Sequence, residues 1–201
     1  MVIYIEGGSR DGKVNANLRR AWGKFLSNAG INNLPKIKIS KAQMIKKFTS
    51  NYENADIILL DSEVEVRSDK EDKKAAELKF IKKIKTRRDW KEEQKIPNNR
   101  IHLMVACMES WLIADINTLK IFYGNGFNEN AIGNINDVEI IPKNDILMKL
   151  KNASKNTKKG QYHKTHHAPY IISNLSAKVV CDKSYFCQRF LNHLRKSGGL
   201  K

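Results

Sequence analysis

The sequence predicts an α/β fold, a central, mostly parallel sheet flanked by helices and continued by a basic C-terminal helical extension. Three observations lead there. Apolar runs at residues 2–5 (VIYI) and 57–60 (IILL) are short and continuous, as in strands covered on both faces. A stretch with helical apolar spacing lies between them, and a glycine turn follows the first run. With 201 residues the chain can bury one sizeable core but not two comfortable domains, so a single domain is expected, with its core over about 1–123 and its extension over about 124–201.

The first strand, 2–5, ends on Glu6-Gly7-Gly8. Residues 15–29 place Leu18, Ala21, Trp22, Phe25 and Leu26 at helical spacing, with Gly30 as a C-terminal cap. A second strand at 37–39 and a second helix at 42–48, burying Met44, Ile45 and Phe48, precede the strand at 56–60, which closes on Asp61-Ser62-Glu63. This is a βαβαβ pattern, for which right-handed crossovers and a parallel sheet are expected. Residues 66–95 are highly charged, with Ala75, Ala76, Leu78, Phe80, Ile81 and Ile84 supporting a helix that extends toward Trp90. A further strand is expected at 101–107 and a helix at 108–119. The stretch 124–138, rich in Gly and Asn, reads as irregular; 144–153 reads as a basic helix, 152–167 as polar and basic, and 184–194 as an amphipathic helix.

Composition narrows the functional classes. No run of about 18 apolar residues spans a bilayer and no secretory leader opens the chain, so a soluble cytoplasmic protein without membrane partners is expected. Cys107, Cys181 and Cys187 are odd in number and form no CxxC pair, so they read as small core residues rather than as disulfides or a zinc knuckle. A net charge of +16, from 37 Lys and Arg against 21 Asp and Glu, attracts polyanions, and nucleic acid (RNA or DNA) is the expected partner. Against this, 28 of the basic residues are Lys and 20 residues are Asn, a bias that drift toward an AT-rich genome also produces.

The candidate chemistry sits on carboxylates. Glu6 and Asp61 each follow an apolar strand, and open parallel sheets form their sites at the carboxyl ends of strands. If the two strands are neighbours, the carboxylates converge. Hard cations such as Mg²⁺ or Mn²⁺ take carboxylate oxygen and water, so Glu6, Asp61 and Glu63 form a candidate metal site for phosphodiester cleavage, with Glu6 able instead to act as general acid or base. Glu109 stands where a strand passes into a helix. It either reaches the same edge or stabilises the helix N-terminus. Acids after strands also cap the next element or face solvent.

Residues 143–167 hold seven Lys and one acid. Lys143, Lys158, Lys159 and Lys164 are candidate phosphate contacts, Lys159 with a catalytic role on the charge that builds on a phosphoryl group; Tyr162 and His163 are candidates to stack on or bond to nucleotides. The group His163, His166, His167 admits a metal reading, and the whole segment a solvated-loop reading. A second basic run, 82–100, has eight Lys or Arg against three acids and reads mainly as a solvated face.

Four blocks in fixed order, VIYIEGG at 2–8, LLDSE at 59–63, HLMVACMESWLIAD at 102–115 and TKKGQYHK at 157–164, resemble the bacterial domain-of-unknown-function 4276 family, whose members look Toprim-like, a Rossmann-like variant. The Toprim domains of topoisomerases, primases and OLD-type nucleases use a glutamate after the first strand and a DxD after the third. The resemblance therefore implies those roles for Glu6, Asp61 and Glu63, with Glu63 standing in place of the second aspartate. It implies a metal-dependent nuclease, an effector or toxin of anti-phage defence working with an ABC-type or AAA-type ATPase; a homo-oligomer is a further expectation. Two alternatives stay open. One is a non-catalytic nucleic-acid-binding or regulatory subunit of such an ATPase. The other is a P-loop nucleotide hydrolase, since residues 7–13 fit G-x-x-x-x-G-K after a strand, although Val14 lacks the oxygen that a P-loop Ser or Thr gives to Mg²⁺.

Overall fold

The computed structural model describes residues 1–9, 11–40, 43–67, 72–91 and 95–198. In chain order these form β1 (Val2–Glu6), α1 (Gly12–Asn28), β2 (Lys36–Ser40), α2 (Met44–Ser50), β3 (Ile57–Asp61), α3 (Lys73–Lys85), β4 (Ile101–Met104), α4 (Met108–Ala114), α5 (Ile116–Tyr123), α6 (Lys143–Ser154), α7 (Lys164–Asn174), α8 (Ala177–Lys183) and α9 (Tyr185–Gly198). The expected α/β class is what the chain adopts. Among the described residues the sheet is four-stranded and entirely parallel, in the order β2–β1–β3–β4.

That order places a topological switch between β1 and β3. The chain leaves β1 for β2 on one side and returns to β3 on the other, and a crevice opens at the carboxyl ends of the two strands. Their register pairs Ile3 with Ile57 and Ile5 with Leu59. The Val2 amide donates to Asp56 Oδ1 at 2.7 Å, which ties the two strand starts together.

Side-chain alternation divides the core into two layers. Ile3, Ile5, Ile57, Leu59 and Met104 face a layer completed by α1, α4, α6, α7 and α9. Tyr4, Ile58, Leu60, Ile101 and Leu103 face another, completed by α2 and α3. In the first layer Trp22 meets Phe25 and Trp111 edge-on at 5.7 Å each, so these aromatics are packing residues, as their spacing suggests. Cys107 and Cys187 are buried and Cys181 half-buried; all three are free.

Several boundaries differ from the sequence expectation. The hydrophobic core continues past Tyr123: Ile146, Leu150, Ala153, Ala168, Ile171, Ile172, Val180, Phe190 and Leu194 belong to the same buried cluster as Trp22. Helix α7, packed along α1, lies in a region read only as polar and basic up to residue 167. Ala168, Ile171, Ile172 and Leu175 spell out its apolar face, but Pro169 and two histidines, His166 and His167, obscure the pattern. The single helix expected at 108–119 is split at Asp115, whose Oδ1 accepts from the Thr118 amide and whose Oδ2 accepts from the Ser176 amide. Helix α3 ends at Lys85, short of Trp90, because Thr86 caps it. Strand β4 ends at Met104 rather than 107, since the carbonyls of Met104 and Ala106 accept from the Ser62 and Glu63 amides of the loop after β3. Parts of two expected elements, Ala42 and residues 68–71 and 92–94, lie outside the described residues. No helix among the described residues is long and apolar enough to cross a membrane.

Candidate active site

The β1–β3 crevice is a cleft of about 560 Å³ lined by Glu6, Gly7, Gly8, Ser9, Asp61, Glu63, Glu109, Lys143, Leu147, Lys151, Tyr162, His163, Lys164 and Thr165. Strand pairing sets its centre. Glu6 and Asp61 end adjacent strands, and the Asp61 amide donates to Glu6 Oε2 at 3.2 Å. Asp61 Oδ1 accepts from the Met108 amide at 2.9 Å, at the start of α4, so a helix N-terminus holds this carboxyl in place. Among the described residues, Glu6 Oε1 and Asp61 Oδ2 accept no hydrogen bond.

The glycine turn keeps the floor of the cleft low. Gly8 has φ +83°, and a Cβ there would stand 2.1 Å from Asn15 Oδ1. Asn15 grips the next residue at both ends, accepting from the Ser9 amide and donating to the Ser9 carbonyl, each at 3.0 Å. At the α1 N-terminus the Asp11 carboxylate accepts from the Lys13 amide at 2.7 Å. A negative charge thus occupies the place where a P-loop would receive phosphate.

Basic residues from the C-terminal half form the facing wall. Lys143, Leu147 and Lys151 recur every fourth residue on one face of α6. Lys143 Nζ lies 2.6 Å from Glu63 Oε2, and Lys164 Nζ lies 3.3 Å from Glu109 Oε1. Tyr162, a candidate for stacking, is instead buried, and its hydroxyl donates to Glu109 Oε1 at 3.1 Å. Glu109 is buried in the first turn of α4, so it reaches the edge and lies at a helix N-terminus at once.

Not every candidate converges. Lys158 and Lys159 follow the end of α6 and do not line the cleft; Lys159 Nζ sits 5.2 Å above the Phe122 ring of α5. His163 lines the cleft with its ring tilted 42° against that of His166, centroids 4.5 Å apart, while His167 Nδ1 accepts from the His163 amide and faces the Tyr123 hydroxyl at 3.0 Å. Sequence reasoning did not single out Lys151, Ser9 or Thr165; the eight-residue spacing from Lys143, two steps of four on one helix face, was the available signal for Lys151.

Electrostatics mark the centre as strained toward protonation. Burial raises the Asp61 carboxyl to about 8, with Glu109 and Glu6 adding and Lys164 opposing. Burial also raises Glu6, Glu63 adding and Arg87 opposing. Burial works against the charges of Lys164 and Lys143, yet Glu109 and Asp61 around the first, and Glu63 and Asp61 around the second, raise both above the ordinary lysine value. The Cys107 thiol is pushed up to about 12 by burial beside Glu109 and Asp61, so it offers no thiolate nucleophile.

Buried carboxylates that hold protons too tightly are donors a hard divalent cation suits, since it would replace the proton and cancel their repulsion. The donor set fits Mg²⁺ or Mn²⁺ in chemistry. Among the described residues, however, no three His, Cys, Asp or Glu side chains stand grouped as a preformed metal site. In comparisons with known proteins, the family described as domain of unknown function (DUF4276) matches over residues 5–195. No curated protein and no solved structure matches the chain significantly.

Proposed function

The chain belongs to the family described as domain of unknown function (DUF4276), and we propose that its cleft is the active site of a metal-dependent nuclease with a Toprim-like arrangement of acids. The observation that carries this reading is the contact of the Asp61 amide with Glu6 Oε2 at the β1–β3 switch point, opposite the lysines of α6 and α7. Glu6 and Asp61 would hold Mg²⁺ or Mn²⁺ through Oε1 and Oδ2, the two oxygens that accept no hydrogen bond among the described residues. The bound cation supplies charge neutralisation and a more acidic water. Lys143, Lys151 and Lys164 bind the phosphate backbone and spread the charge that builds on the phosphorus oxygens. Glu109 keeps Lys164 charged and aimed, and Tyr162 fixes Glu109. Nucleic acid is the substrate class, in keeping with a net charge of +16. Service to an ATPase partner in anti-phage defence rests on the resemblance of the sequence blocks alone.

The test is cleavage of labelled RNA and DNA with Mn²⁺ or Mg²⁺ against chelator. Glu6→Gln and Asp61→Asn should each lose at least about a hundredfold, as expected on removal of metal or acid-base groups; full cleavage by both variants overturns the assignment. A second reading, a nucleic-acid-binding subunit without its own cleavage, is favoured by one observation. Glu63 and Glu109 are already engaged by Lys143 and Lys164. It predicts binding without cutting, and a salt dependence that flattens by about one unit in Lys151→Ala.

A further inference from the structure

At the amino-terminal end of β4, away from the carboxyl edge that carries the acids, a second cavity of about 520 Å³ opens against α9. A row of nitrogen atoms runs along it. Arg189 Nη1 stands 2.8 Å from His102 Nδ1, His102 Nε2 stands 3.1 Å from His193 Nδ1, and Arg100 Nη1 stands 3.3 Å from His193 Nε2. Burial, reinforced by the flanking guanidiniums, holds both imidazoles below their ordinary value. Each neutral ring then has one N–H and one lone pair, while a guanidinium only donates.

Proton order follows from Arg189. Its donation to His102 Nδ1 leaves the His102 proton on Nε2, from where it is donated to His193 Nδ1. The His193 proton is left on Nε2. Arg100 therefore meets an N–H with an N–H, and the longest of the three contacts is not a hydrogen bond. Arg189 has other acceptors: it pairs with Glu77 and donates to the Ile101 carbonyl on the open side of β4 at 3.2 Å. Among the described residues neither Arg100 nor Lys196, both on this cavity, reaches a carboxylate. The Asn99 backbone serves both imidazoles as a hydrogen-bond acceptor, and three cations against one acid leave an excess of positive charge on this cavity.

We propose that this cavity binds a phosphate-bearing nucleotide, free or at the end of a strand, with Arg100 and Lys196 as the phosphate contacts. Its volume falls in the ordinary range of small-ligand sites. Asn99, Gln188 and Asn192 supply carboxamides that both donate and accept, as the edge of a heterocyclic base requires, and Tyr185 supplies an aromatic ring. The cavity is separate from the carboxylate cleft, and binding there does not need cleavage.

Calorimetric titration of the full chain in chelator tests it, with adenosine 5′-monophosphate, adenosine, and a short single-stranded oligonucleotide with and without a 5′ phosphate as probes. The monophosphate should bind at least about tenfold more tightly than adenosine. Arg100→Gln and Lys196→Ala should each weaken it roughly tenfold, as loss of a charge-assisted hydrogen bond implies, and Asp61→Asn should leave it unchanged. Tighter binding of the phosphorylated oligonucleotide than of the monophosphate assigns a strand end; the reverse assigns a free nucleotide. Equal affinity for adenosine and its monophosphate, binding that survives both substitutions or is lost in Asp61→Asn, or no binding by any probe overturns the site.

Discussion

Asp61 is nearly buried, accepts one helix amide, and shares its surroundings with two other carboxyls. Its proton affinity has a measurable consequence for the cation-free protein. The folded chain keeps the Asp61 proton up to about pH 8, whereas the unfolded chain releases it near the ordinary carboxyl value of 3.8. Between those values the native state binds more protons than the unfolded one, so stability falls as pH rises through the window and levels off above it. Glu6, shifted in the same direction, adds to the lower part of the slope. Thermal melts in chelator should therefore show a melting temperature that declines from about pH 4 to pH 8, and Asp61→Asn should flatten that decline. An unchanged slope in the variant would place the proton elsewhere. A residue that lowers stability when ionised and is kept at a cleft is the trade expected of a functional acid.

Helix ends, more than helix interiors, decide how the elements are joined. Asp115 ends α4, caps α5 and binds the start of α8, so one carboxylate makes a corner that apolar spacing alone reads as continuous helix. Glu139 does the same for α9. It is fully buried; Oε1 accepts from Ser184 Oγ at 2.7 Å and from the Phe186 amide at 2.8 Å, and Lys73 lies 3.3 Å from Oε2. Glu139→Ala would leave a buried hydroxyl and a helix amide short of an acceptor, while Lys73 keeps Asp137 at 2.7 Å, and it should cost about 2–4 kcal/mol in denaturant unfolding. A loss within about 0.5 kcal/mol, the range of ordinary surface changes, would mean that water or a neighbour replaces it. Helix α6 shows the complementary case: its apolar face enters the core through Ile146 and Leu150, which turns Lys143 and Lys151 onto the cleft.

Taken whole, the molecule builds its site from two halves of the chain. The acids come from residues 6–109, two from strand ends, one from the loop after β3 and one from the first turn of α4, and the cations facing them come from residues 143–164. The same division runs through the core, where α7 lies along α1 and buries Ile171 and Ile172 in the cluster of Trp22 and Leu26. A chain ending at Tyr123 should consequently expose the apolar faces of α1 and α4 and fail to fold cooperatively. Circular dichroism melts and amide dispersion in NMR spectra would show this, and a cooperative melt from that fragment would overturn the single-core view. Assembly of both halves also concentrates positive charge opposite the acids, which keeps the carboxylates tolerable in one cleft.

Glu6, Asp61 and the parallel strands behind them were readable in the sequence because a strand covered on both faces needs a continuous apolar run, and the residue just past such a run falls at the sheet edge. The βαβαβ order was readable for the same reason: local spacing dictates which face each element can bury. Lys159 over Phe122, Tyr162 beneath Glu109 and the Arg100–His193–His102–Arg189 row were not. Those contacts join residues 37 to 93 positions apart, so they depend on how helices pack after the chain has closed, and no local pattern records that. Sequence alone determined where the acids stand on the sheet; tertiary packing alone decided which cations face them, since side-chain partnership across a fold arises from the geometry of packed helices rather than from spacing along any one of them.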